Sequence, residues 1–422
     1  MDSTQNHMIL TNAFLAAIDS VKPRHFMKDA LEKLSHIDVK GAIYLIAFGK
    51  AAGEMCAEFM HAGGHFDKAL VVVPHNVDIN FDAPSITLCH SAHPVPDKAS
   101  CQAAEQALAL AGELTKDDLL IVLISGGGSS LVCAPPQDMS LNDKMLINEA
   151  LLASGAPIQE MNIVRRHLSV FKGGRLAAAA APAKLVAFAL SDVPGDDPAA
   201  IASGPTVGDV STKEDALAIL ERYQIQLPSA VSHWLHNDKC ESPFPDDALF
   251  INNEMHIIGS ASIALQAAAD SVAQAGYHPV ILGDGFQIDS TEMANYLIKE
   301  IDKMPAGTAL ISGGETSVEV KGTGCGGRNA ECAHALALYD RDDLCGLMGD
   351  SDGIDGGAPV AASLFFPGQI EKAKKVGLDA QQMLDNNDSH SFFEHLNCQL
   401  ITGPTQTNVN DIRILLKGAP QS

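Results

Sequence analysis

Short apolar runs alternate with helical-looking stretches along the whole chain. In the first half, "GAIYLIAFG" (41–49), "ALVVVP" (69–74), "SITLCH" (85–90), "DLLIVLISGG" (118–127) and "KLVAFALSDV" (184–193) are rich in branched apolar residues. Each is bounded by Gly, Pro or polar residues, the pattern of a buried strand. Helices are predicted between them at 50–61, 97–113, 141–153 and 174–181. Strands alternating with helices imply parallel βαβ units and a sheet covered on both faces. The polar stretch "SHWLHNDKCESPFPDD" (232–247) interrupts this pattern and holds the single Trp, so a boundary is expected there, giving domains 1–240 and 241–422. The alternation then restarts, with strands predicted at 254–260, 278–284, 308–314, 317–322, 344–350 and 412–418 and helices at 261–276, 290–303 and 328–339. The close succession around 308–322 favours a mixed sheet in this second half.

Length and composition sharpen the picture. At about 100–200 residues per domain, 422 residues suggest two or three domains. The formal net charge of −24 repels phosphate backbones and anionic lipid, so neither nucleic acid nor a membrane is an expected partner. No uninterrupted apolar stretch is long enough to span a bilayer, and the N-terminus lacks the basic-then-apolar signature of a signal peptide. Nine scattered cysteines without a CxxC pair argue against a zinc ribbon and a disulfide framework, and point to reduced thiols in a cytoplasm. The sequence allows a homodimer without requiring one.

The octets "LISGGGSS" (123–130) and "LISGGETS" (310–317) share six of eight positions, and each ends an apolar run. Glycine there lets the backbone turn sharply and brings N–H groups close to a ligand. Open α/β sheets bind ligands beyond the carboxyl ends of their strands. The expectation is therefore an anion-binding turn in each domain, formed by Ser125, Gly126, Gly127, Gly128, Ser129 and Ser130 in one and by Ser312, Gly313, Gly314, Glu315 and Thr316 in the other.

Other stretches carry charge. Lys50 in "AFGKAAGEM" (47–55) follows a predicted strand and opens a helix, where free N–H groups and the helix dipole attract anions. "NIVRRHLSVFKGGRLA" (162–177) clusters Arg165, Arg166, His167, Lys172 and Arg175 without an acid, which suits a phosphate or carboxylate site. Asp192, in "SDVPGDDPAAIASGPTVGD" (191–209), falls at a strand's carboxyl end, a frequent place for catalytic and metal-binding carboxylates. "GDSDGIDGGAP" (349–359) places Asp350, Asp352 and Asp355 in one glycine-rich loop, a set of hard oxygen ligands suited to Mg²⁺. Gly322, Gly324 and Gly327 have the spacing of a dinucleotide fingerprint, with Asp350 near the position of a ribose-binding acid. That favours a nicotinamide-dependent enzyme. Arg328 directly after the third glycine, and the crowding of the preceding strands, oppose it.

Taken together, "GKAAGEM", "SGGGSSL", "VRRHLSVFKGGRLA", "SDVPGDDPAAIASGPT", "SGGETSVEVKGTGCGGRNAE", "GDSDGIDG" and "TGPTQTNVND" resemble the glycerate kinase family that makes 2-phosphoglycerate. Older naming of that family uses hydroxypyruvate reductase, the alternative activity. The resemblance spans about residue 9 to residue 418, with departures at Gln406, where the family usually has Gly, and near Ser351. It implies two α/β domains: an N-terminal Rossmann-like, mostly parallel sheet with helices on both faces, and a smaller C-terminal one with a mixed sheet, the active site lying in the interdomain cleft. It also implies ATP, Mg²⁺ and D-glycerate, and makes Lys50 and Arg328 essential. On this reading Lys50 and Gly126–Ser130 hold phosphate oxygens, and Arg328 holds the glycerate carboxylate or the transferring group. Asp192 is general base or metal ligand, with Asp352 and Asp355 as further metal ligands.

Overall fold

The structure, a computed structural model, describes residues 3–420. The chain divides into two compact bodies. The first, Pro23–Ile258, is built on a six-stranded sheet: β1 (Ile43–Phe48), β2 (Lys68–Pro74), β3 (Ile86–Ser91), β4 (Leu119–Ile124), β5 (Lys184–Leu190) and β6 (Glu254–Gly259), in the order β3-β2-β1-β4-β5-β6. The pairs β1–β2, β2–β3, β1–β4 and β4–β5 are parallel. All six residues of β4 are buried, as expected for a central strand covered on both faces. Its Leu120, Val122 and Ile124 pack with Ala104 and Ala107 of the helix Lys98–Gly112 and with Leu176 and Ala177 of the helix Arg175–Ala180.

This order has a functional consequence. From β1 the chain winds outward through β2 to β3, then returns to place β4 on the other side of β1 and winds outward through β5. The reversal lies between β1 and β4. The loops leaving neighbouring strands diverge there, so the sheet has a crevice at the carboxyl ends of those two strands.

The second body contains the chain from Gly259 onward together with the N-terminal helix Ser3–Ser20, which packs on the helix Ala261–Gln274. Its sheet comprises β7 (His278–Ile281), β8 (Thr308–Ser312), β9 (Leu344–Asp350), β10 (Ala362–Phe365), β11 (Gln399–Leu400) and β12 (Asp411–Lys417), ordered β11-β10-β9-β12-β8-β7. Only β7–β8 is parallel; β12 runs antiparallel to both β8 and β9, giving the mixed sheet expected.

Two expectations need correction. The strand at 254–259 closes the edge of the first sheet rather than opening the second, so that sheet extends beyond the expected boundary at residue 240. Lys184 binds Glu254, and the Leu185 N–H donates to Asn253 Oδ1 at 3.2 Å, which fixes the start of β6 beside that of β5. No strand forms at 317–322. Ser317 makes a single bridge with Asp289, Val320 is exposed, and the Lys321 and Gly322 N–H groups donate to Asn387 Oδ1. The helix Ile158–His167, which carries part of the basic stretch, and the short strands β10 and β11 were not foreseen.

Candidate active site

In the first body the glycine octet lies at the sheet's point of reversal. Gly127 has a left-handed backbone (φ 79°) and caps the short helix Gly128–Leu131. The turn is tied to the end of β1: the Lys50 N–H donates to the Gly126 carbonyl at 2.8 Å, and the Ala51 N–H to Ser125 Oγ at 3.0 Å. The N–H groups of Gly126, Gly127 and Ser129 have no protein acceptor among the described residues. Successive uncommitted N–H groups beside a lysine form a cradle for an anion.

Asp192 follows β5 and presses its carboxylate against Gly126; a methyl group built there would lie 2.3 Å from Asp192 Oδ2. The His93 ring would lie 2.8 Å from a methyl group built on Gly127, which also packs on the Lys50 side chain. Lys50, Asp192 and Ser125–Ser130 are thus brought together.

The basic stretch has another task. The Lys172 ammonium is buried and donates to the Ser129 carbonyl at 2.7 Å and to its hydroxyl. Burial, with Lys144 nearby, pushes Lys172 well below the usual lysine range. Ser129 Oγ also lies 2.7 Å from Ser203 Oγ. Arg166 binds Asp209 at 2.7 Å, Arg165 binds Asn148 and Asn162, and Arg175 donates to the carbonyls of Arg166, Lys172 and Cys240. The expected anion site in this stretch is therefore a brace behind the glycine turn.

The second octet looks alike in sequence but is wired differently. The N–H groups of Gly313, Glu315 and Thr316 donate to the Gly283 carbonyl, the Phe286 carbonyl and Asp411 Oδ2, at 2.9, 2.9 and 3.0 Å. These donors are committed to protein, so this turn offers no equivalent N–H cradle. It organises Arg328 instead, the first residue of the helix Arg328–Ala337. Arg328 Nε donates to Asp411 Oδ1 at 2.7 Å, Nη2 to Asp350 Oδ2 at 2.8 Å and Nη1 to Glu315 Oε1 at 3.0 Å. Asp411 is fully buried and is held further by Asn329, Thr316 and Arg413. Burial pushes the Asp350 carboxyl well above its usual range; Asp352 and Asp411 add to this and Arg328 opposes it. Sequence reasoning did not single out Asp411, although it ends the quoted segment "TGPTQTNVND". Nothing local distinguishes it, because its partner Arg328 lies 83 positions away.

Two of the acids expected to hold a metal accept backbone N–H groups. Asp355 caps the helix of Arg328: its two oxygens accept the Asn329 and Ala330 N–H groups at 3.1 and 2.8 Å. Asp352 Oδ1 accepts the Ile354 N–H at 3.0 Å. Among the described residues, no group of three or more His, Cys, Asp or Glu is arranged to hold a metal ion. The glycines of the GxGxxG spacing have a structural explanation. Methyl groups built on Gly322 and Gly324 would collide with the backbone at Asn386 and Asp388, and the loop's N–H groups bond the Asn386, Asn387 and Asp388 side chains. The spacing serves close packing of two loops rather than a pyrophosphate.

Residues 9–236 match a domain of unknown function, DUF4147, and residues 308–411 match the MOFRL family. The chain is 36% identical to the D-glycerate 2-kinase of Thermotoga maritima, with 94% of this chain and 95% of that protein covered. It belongs to the glycerate 2-kinase family. The crystal structure of a Thermotoga maritima glycerate kinase superposes with a TM-score of 0.88 at 35% identity, covering 99% of this chain and all of that one. An Agrobacterium vitis protein carrying the provisional name hydroxypyruvate reductase is 40% identical over 97% of this chain and 94% of its own length. Both relatives match nearly full length, so coverage does not separate them. In this glycerate 2-kinase family member, the packed GxGxxG loop lends the reductase name no support. Among the described residues, no helix is long and apolar enough to cross a membrane.

Proposed function

We propose that the protein transfers the γ-phosphoryl group of ATP to the 2-hydroxyl of D-glycerate, forming 2-phosphoglycerate and ADP. The observation that carries this reading is the cradle of uncommitted N–H groups at Gly126, Gly127 and Ser129, set beside Lys50 at the sheet's point of reversal. The glycerate acceptor comes from the family. The 2-hydroxyl oxygen attacks the γ-phosphorus, the bond to the ADP oxygen breaks, and the hydroxyl proton leaves to a base. Such a reaction asks the protein mainly for positioning and charge stabilisation. The Gly126–Ser130 turn and Lys50 supply both for the phosphates, and Arg328 holds the glycerate carboxylate or the transferring group.

Asp192 is the carboxylate against the phosphate turn. Two roles fit it: accepting the hydroxyl proton, or helping to hold the Mg²⁺ that accompanies ATP. Mg²⁺ keeps most of its water and takes one or two carboxylates with the substrate's phosphates, so a single protein carboxylate suits it. The ion supplies neutralisation of phosphate charge. All nine cysteines are free thiols, which supports a reducing, cytoplasmic setting.

The position of Asp192 yields a prediction. Gly126→Ala adds a methyl group 2.3 Å from Asp192 Oδ2 without requiring a left-handed backbone, so the carboxylate must shift. A shift on the order of 1 Å at a reacting group can cost up to about 10²-fold, so kcat/KM is expected to fall by at least about tenfold. Steady-state kinetics check this, and wild-type kinetics in the variant would remove Asp192 from the reaction. The proposal itself is tested by coupling product to added enolase without phosphoglycerate mutase. Turnover should appear at once. A signal that requires mutase would identify the 3-hydroxyl as the acceptor.

A further inference from the structure

A guanidinium carries five N–H donors arranged along two edges. In Arg328 the side edge, Nε with Nη2, faces Asp411 and Asp350, whose side chains are 0% and 8% exposed. These two acids set the plane of the guanidinium. Nη1, which contributes one N–H to the end edge, pairs with Glu315, whose side chain is 52% exposed. Glu315 is also one of the two positions at which the octets differ, standing where the first has Gly128. In the first body that glycine begins a helix and packs on Phe48 and Ala202. In the second, the glutamate leaves the turn to reach Arg328. Its backbone is fixed by the Glu315 N–H on the Phe286 carbonyl, so the side chain is presented from a stationary base.

We propose that Glu315 is an internal stand-in for the substrate's carboxylate, pairing with Nη1 of Arg328 and exchanging with glycerate as it binds. This rests on the reading above that Arg328 takes the acceptor's carboxylate. A planar carboxylate gripping Nη1 and Nη2 competes with Glu315 for Nη1. An ion pair this exposed is weak, so an incoming carboxylate displaces it at little cost. Asp350 and Asp411 stay in place and keep Arg328 aligned. Glu315 thereby sets a threshold: ligands offering a single weak acceptor gain nothing over the glutamate already present, whereas a bidentate carboxylate does.

The test compares wild type with Glu315→Gln and Glu315→Ala in two measurements. In steady-state kinetics, both variants should lower KM for D-glycerate about threefold to fivefold, the worth of an exposed ion pair, while KM for ATP does not move. In calorimetric titration with D-glycerate alone, both should bind more tightly by the same factor. An unchanged or raised glycerate KM, with phosphorylation intact, overturns the stand-in role and leaves the proposed function standing. If wild type turns over no glycerate, the proposed function fails, and the titration decides this inference separately: tighter binding in both variants supports it, and equal, weaker or no binding overturns it.

Discussion

Arg328→Lys is expected to lose about 10²-fold or more in kcat/KM, about 3 kcal/mol of transition-state stabilisation. The reason lies in the geometry. A cation at the first position of a helix opposes the helix dipole, an arrangement disfavoured by about 0.3–1 kcal/mol when solvated. Here three carboxylates compensate, and two of them are buried. Arginine satisfies Asp411 and Asp350 along one edge and still offers a second edge to a ligand. An ammonium is a point charge on a flexible stem and cannot hold both acids and align a third carboxylate. Stability should respond too, because losing a partner leaves Asp350 and Asp411 less compensated. Arg328→Ala should therefore melt at a lower temperature than Arg328→Lys. Steady-state kinetics and thermal melts on both variants check this. A lysine variant retaining more than about a third of wild-type kcat/KM, a loss under about 1 kcal/mol, would reduce Arg328 to a general positive charge.

Lys50→Met is expected to cost about 10³-fold in kcat/KM, about 4 kcal/mol. The turn that Lys50 occupies is built by backbone: its N–H bonds the Gly126 carbonyl, and the Ala51 N–H bonds Ser125. A methionine of similar length keeps those backbone bonds and the packing of the stem on Gly127, so the cradle survives while the ammonium is lost. Charge aimed at a transferring phosphoryl group acts mainly in the transition state, so the loss should fall on kcat as well as on KM for ATP. Activity within tenfold of wild type would mean that the glycine N–H groups suffice and that Lys50 is not central.

Most of the first sheet was legible because β1, β2, β4 and β5 are largely buried and read as unbroken apolar runs; they fall within a few residues of their predicted spans. Sheet membership was not legible. The run 254–259 looks like any buried strand, and only its neighbours Lys184 and Leu185 show which sheet it joins. The apparent strand at 317–322 failed because alternation is a weak signal when neither face is buried, and Asn387 from a distant loop takes the N–H groups a ladder would have used.

Lys50, Asp192, Arg328 and both glycine turns stand out in the sequence as candidates, since charge and glycine at strand ends are local signals. What each turn does could not be read. Six shared positions conceal opposite uses: N–H groups open to a ligand in one octet, and N–H groups spent on Gly283, Phe286 and Asp411 in the other. The acids of "GDSDGIDGG" suggested metal for the same reason. Carboxylates that cap a helix or pair with an arginine have the same letters as carboxylates that bind Mg²⁺, and only their partners tell them apart.

The central claim is phosphoryl transfer to one particular hydroxyl, and proton-coupled phosphorus NMR of the protein with ATP, Mg²⁺ and D-glycerate tests it most directly. Phosphorus on the 2-oxygen has a single hydrogen three bonds away, on C2, and gives a doublet. Phosphorus on the 3-oxygen has two and gives a triplet. The account predicts a growing phosphate-ester doublet matched by conversion of ATP to ADP. A triplet, or ATP that persists beside unchanged glycerate, would contradict it.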